Sequence, residues 1–128
     1  MDNCQCLEAT QGLGAEAGGT DVGTDTTSGR YGSVSLHTCP QCQRIWLFYQ
    51  VEYEGFSGSG RWYRGLITPE TAATVTPEAA AQAIADSAYQ VYGGSYFSTA
   101  GRIHVGPGEV IVGLLGGSVE PTQGTQQL

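Results

Sequence analysis

The sequence contains no lysine. Its basic side chains are five arginines against 12 aspartates and glutamates, for a formal net charge of −7. So acidic a chain lacks the basic face that nucleic-acid phosphates demand, which argues against nucleic acid and suits a basic partner protein. Long apolar runs are missing too: no stretch approaches the roughly 18 residues of a membrane span. The opening residues, Met1-Asp2-Asn3-Cys4, have neither the basic nor the apolar region of a secretory leader. Together these features give a cytoplasmic expectation, and in that compartment paired cysteines more often signal metal than disulfide. Aliphatic residues are scarce as well, with Leu, Ile, Val and Phe totalling 25 of 128 residues. Twenty glycines add to the entropy that folding must overcome, while seven tyrosines and two tryptophans supply large burial areas in compensation. The length fits about one domain, expected over residues 1–116, with 117–128 a polar, disordered tail.

Against this background four cysteines stand out in two close pairs, Cys4-Gln5-Cys6 and Cys39-Pro40-Gln41-Cys42. The C-x2-C spacing of the second pair lets a tight turn aim both sulfurs at one metal, and Pro40 shortens that turn. Four thiolates form a closed tetrahedral zinc shell with no position left for water or substrate, so the expected role is a structural zinc staple. Apparent zinc binding worth roughly 10–16 kcal/mol can appear as folding free energy and would help a thin core. Disulfides, unpaired thiols, and redox, iron–sulfur or catalytic metal centres are the alternative readings. His37, two residues before Cys39, is a further candidate ligand, although a strand histidine facing solvent explains it equally simply.

Residues 8–29 are rich in Gly, Thr, Ala and Asp, and read as a surface loop. Val34 and Leu36 alternate with Ser33, Ser35 and His37, the period of a half-buried strand over 30–38. After the cysteine turn, a longer strand over 44–54 carries Ile45, Leu47, Tyr49, Val51 and Tyr53 on one face. Its other face begins apolar, with Trp46 and Phe48, and ends polar, so the end near the cysteines should be covered on both sides. Residues 55–60 are Gly/Ser-rich and turn the chain into a third strand over 61–68. Thr68-Pro69-Glu70 and Thr76-Pro77-Glu78 each pair a capping hydroxyl with a first-turn proline and an acid. The first predicts a short turn, the second a helix over 77–92 stopped by Gly93-Gly94. Tyr89, on the polar face of that helix, is a candidate for contact with another segment. Ser95–Ser98 is expected as a short strand pairing with 101–105, and Val110–Leu115 as a further strand. The expected fold is α+β: an antiparallel sheet built on a zinc-knuckle hairpin meander, with one main helix packed on it.

The Cys39–Arg44 stretch resembles zinc ribbons and zinc knuckles over about six residues, which implies a local knuckle; the glycine those motifs usually carry after the second cysteine is here Gln43. The wider pattern, from the cysteine pairs through Trp62-Tyr63-Arg64-Gly65 to Gly93-Gly94-Ser95-Tyr96-Phe97, resembles small acidic bacterial proteins. Some of these are toxin-neutralising immunity factors, and no functional residue carries over from that resemblance. Enzymatic patterns are not met. Neither His37 nor His104 has the Glu two residues on that zinc deaminases need, every cysteine has a cysteine neighbour, and Glu52 and Glu54 fit a solvated strand face. The expectation is a non-enzymatic, zinc-stabilised protein that binds another protein, with a nucleic-acid-associated zinc-ribbon protein and an enzyme of unknown type as the alternative readings. Trp62 and Arg64 on one strand face, with Tyr96 and Phe97 after the helix, are the candidate partner-binding residues; the competing reading places the aromatics in the core.

Overall fold

The computed structural model describes residues 4–9, 18–27, 31–51, 60–95 and 98–108. Its strands are β1 (Gly18–Asp25), β2 (Gly32–Thr38), β3 (Ile45–Val51), β4 (Arg61–Ile67), β5 (Tyr89–Gly94) and β6 (Thr99–Val105). They form one antiparallel sheet in sequence order, each strand bonded to the next. Between β4 and β5 lie α1 (Pro69–Thr74), a 3-10 turn (Pro77–Ala79) and α2 (Ala80–Ala85). The fold is α+β. Among the described residues no helix is long and apolar enough to cross a membrane.

The strand alternation sorts side chains into two cores. Leu47, Tyr49 and Val51 of β3 face the same side as Val34 and Tyr63, where Ala80, Ala81, Ile84 and Ala85 of α2 cover them. Trp46 and Phe48 face the other side, where they join Trp62 and Val91 beneath Cys6, Cys39 and Leu7. The cysteine end of β3 is therefore covered on both faces, as its residue pattern implies. The helices begin as their sequences predict: Thr68 Oγ1 accepts from Thr71 N at 3.1 Å and Thr76 Oγ1 from Ala79 N at 3.3 Å.

Three expectations are corrected. The helix expected over 77–92 is a 3-10 turn followed by one short helix ending at Ala85, and Tyr89–Gly94 is strand β5. Tyr-Gln-Val-Tyr is rich in residues that suit a pleated surface, and its true period is two. Val91 joins the cysteine-side core and Tyr92 the helix-side core, while β5 supplies backbone partners to β4 that would otherwise face solvent. The second correction is at 8–29, which contains strand β1 and is not loop throughout. That strand has almost no large apolar residue: it lies at the end of the strand order and pairs with β2 through its backbone, with Val22 packed against the helix-side core. A register shift between Asp21 and Gly23, with Gly23 at φ +136°, bulges it. Its last residue, Asp25, turns inward and accepts from Tyr49 Oη at 2.5 Å. Third, β6 pairs with 89–94, whereas Ser98 N donates to Ser95 O at 3.1 Å in the connection between those strands. Val110–Leu115, the tail 117–128, Tyr53, Glu52 and Glu54 lie outside the described residues, as do Tyr96 and Phe97.

Candidate metal centre

All four cysteines converge. One ligand atom from each of Cys4, Cys6, Cys39 and Cys42 lies within 4.8 Å of the others, and all four are free thiols. The contacts run across the two segments: Cys4 Sγ to Cys39 Sγ is 3.5 Å, and Cys6 Sγ to Cys42 Sγ is 3.5 Å. A tetrahedron of thiolates with metal–sulfur bonds of about 2.3 Å has edges of about 3.8 Å. The cluster already has nearly that size.

Local backbone chemistry explains the placement. Cys39 closes β2, and its N–H donates to Arg44 O at 2.9 Å while Gln43 N donates to Cys39 O at 2.9 Å. This turn needs a left-handed residue after Cys42, and Gln43 adopts φ +66° there. That is the position at which the resembling knuckles carry glycine, so the geometry of the knuckle is kept with a different residue. Gln43 Nε2 donates back to Pro40 O at 3.2 Å. The other pair sits on a single 3-10 turn, Gln5–Leu7, closed by Leu7 N to Cys4 O and Glu8 N to Gln5 O, each 3.0 Å.

That turn rests on the sheet through its carbonyls. Arg64 donates from Nη1 to Cys6 O and from Nη2 to Glu8 O, both at 2.7 Å. Tyr89 Oη donates to Leu7 O at 2.6 Å. The Arg64 guanidinium carbon lies 4.1 Å from the centroid of the Trp46 ring, and Tyr89 meets Trp46 edge-on at 6.1 Å.

The thiols are electrostatically unequal. Burial pushes the Cys6 thiol up to about 12, against a smaller opposing pull from the Trp46 indole. Cys4 is also raised: the Cys6 backbone N–H favours its thiolate, but burial and hydrogen bonds with Cys39 and Cys42 outweigh it. Cys42 falls to about 6, because hydrogen bonds from the backbone and side chain of Arg44, together with Cys6 and Cys4, overcome the effect of burial. Trp46 Nε1 is buried without an acceptor at hydrogen-bond distance, yet it is near enough to favour the Cys6 thiolate. We read the contact as a donor awaiting a charged sulfur, since a neutral thiol is a weak acceptor. A metal-bound thiolate at Cys6 fits this orphaned donor.

Other expected residues are placed differently. Trp62 and Arg64 do share a face, but it is the cysteine-side face and both are buried, so their side chains point into the molecule. Tyr96 and Phe97, outside the described residues, cannot be placed with them. His37 is not in the thiol cluster; its Nε2 lies 2.9 Å from Ser35 Oγ and its ring is 4.5 Å from that of Phe48. Arg44 and Trp46 were the residues sequence reasoning passed over. Their signal was spacing: two and four residues after Cys42, they alternate onto the side of the strand that the cysteines cover. Tyr89 does contact another segment, from a strand rather than a helix. No protein-family model, curated protein or solved structure matches this chain, so its resemblance to knuckle and immunity-type proteins rests on the quoted residues alone.

Proposed function

We propose that the four cysteines bind one zinc ion as a closed structural site, and that the domain so stapled is a non-enzymatic module that binds a protein partner. The convergence of four sulfurs within 4.8 Å carries the metal part of this reading. Four thiolates fill a tetrahedral shell, and zinc is the divalent ion whose structural sites have this composition. Support for a non-enzymatic role comes from how the buried polar groups are used. Asp25 is engaged by Tyr49, Arg64 by two carbonyls, and Gln90 Nε2 by Ala85 O, Gly106 O and Gly108 O. A cleft of about 500 Å³ beside α2 brings one carboxylate, Asp86, among Leu66, Ile67, Thr71 and Ala83, and Gln82 donates to that carboxylate at 2.9 Å. Acid–base or nucleophilic catalysis needs convergent titratable groups, and among the described residues the lining of this one cleft offers a single carboxylate.

The net charge of −7 favours a basic protein surface as partner, and a basic toxin that the domain neutralises is one such partner. With Trp62 and Arg64 turned inward, the exposed large apolar side chains among the described residues are Tyr31 at 67%, Ile103 at 44% and Val105 at 73%. Ile103 and Val105 lie on β6, at the opposite end of the sheet order from β1. Immobilised zinc-loaded protein should capture a basic protein from cells that make it, and Val105→Glu should weaken that capture. Recovery of no protein, or of nucleic acid released steeply by salt, would count against the reading.

A further inference from the structure

We infer that Arg64, Trp46 and Tyr89 are positioning residues of the metal centre: they seat the Cys4–Cys6 turn on the sheet, and Arg64 and Trp46 compensate the charge of the metal-bound thiolates. This inference rests on the zinc reading above.

The seating is visible in the carbonyls. Cys6 O, Leu7 O and Glu8 O, three in succession, are each taken by a side chain from β4 or β5. Leaving such acceptors unsatisfied beneath a covering segment is costly, so these bonds define where the turn docks. The Arg64 fork fixes two of them at once, which a lysine ammonium cannot reproduce with the same geometry. Because Cys4 and Cys6 belong to the docked segment, the bonds that seat it also hold their sulfurs beside Cys39 and Cys42.

The charge argument is independent of the seating. Four thiolates around a divalent ion carry a net charge of two negatives, close to a buried core. Arg44 follows Cys42 by two residues, and the Arg64 guanidinium is held at the Cys6 carbonyl at 2.7 Å. A chain with five basic residues thus places two of them at this centre. Trp46 adds an N–H that has no acceptor at hydrogen-bond distance, and its ring lies under the Arg64 guanidinium. The outer groups of metal sites act in this way, orienting ligands and tuning their basicity.

The test compares zinc(II) affinity, by competition with a chromogenic chelator, and the pH midpoint of cobalt(II) binding, by its thiolate charge-transfer band. Arg64→Met removes charge and fork while keeping an apolar stem. It should weaken zinc about 10–100-fold, the usual cost of losing an outer partner, and raise the cobalt midpoint because thiolates form less readily. Arg64→Lys should restore much of the pH midpoint but less of the affinity. Tyr89→Phe should lower affinity with little change in midpoint, whereas Trp46→Phe should raise the midpoint. Folded Arg64→Met with wild-type affinity and midpoint would overturn the inference. If Arg64→Met does not fold, unchanged zinc affinity in both Tyr89→Phe and Trp46→Phe overturns it instead. Wild-type protein that binds neither ion would defeat the zinc reading itself, and the inference with it.

Discussion

Cys6 and Cys42, chemically identical thiols in one small volume, differ by several pH units because each meets a different balance of burial and positive charge. Cys42, half-buried beside Arg44, falls to about 6, and Cys6, fully buried, rises to about 12, both from an ordinary value of about 9. This has a signed consequence for the metal-free, reduced protein. Between about pH 6 and 9 the unfolded chain holds a proton on Cys42 that the folded chain has released, so stability rises with pH. Burial lowers His37 as well and acts in the same direction at the acid end. Between about pH 9 and 12 the folded chain keeps the Cys6 proton that the unfolded chain loses, so stability falls again, and the raised Cys4 adds to that fall. Melting temperature against pH should therefore pass through a maximum near pH 9. A monotonic profile across that window would show that these thiols do not titrate as their surroundings require.

At the level of elements, the contact between α2 and β4 depends on small residues on both sides. A Cβ built at Gly65 would lie 2.9 Å from Ser87 Oγ and 3.3 Å from the Ile84 Cα, the second of which is backbone and cannot move aside alone. Gly65→Ala is expected to push α2 from the sheet and cost about 1–3 kcal/mol, read as a lowered denaturation midpoint with unchanged slope. Stability equal to the parent would mean that the helix sits further from the sheet than described. Much of this architecture was legible from residue pattern. The β2–β3–β4 meander follows from period-two alternation and turn glycines, and both Thr-Pro-Glu caps act at the positions their residue types indicate. What the pattern hid has physical causes. β1 pairs through backbone in a Gly/Thr/Asp composition that carries no periodic signal. Tyr89–Gly94 comes soon after an alanine-rich helix, and the apolar spacing Ile84, Ala88, Val91 fits a continued helix, although the edge of β4 claims Gln90–Gly93 for the sheet. Arg64 looked like a surface residue because a charge on a strand is usually solvated, and its partners are carbonyls more than 50 positions away.

Across the whole molecule, the cysteine cluster joins the two ends of the organisation. The N-terminal turn covers the Trp46–Phe48–Trp62 face, and α2 covers the opposite face, so loss of the turn would expose one of two small cores. A chain this poor in aliphatics builds two small cores, and a metal that binds only the folded state would add to its stability by mass action. At a free-metal level about a thousandfold above the dissociation constant, that contribution is about 4 kcal/mol. Chelation, or Cys39→Ser at a buried ligand position, should remove it and lower the melting temperature accordingly. The central claim is tested most directly by elemental analysis of the purified protein. It should find one zinc per chain in the parent and little in Cys39→Ser. Folded parent protein without metal, whose melting a chelator leaves unchanged, would contradict it.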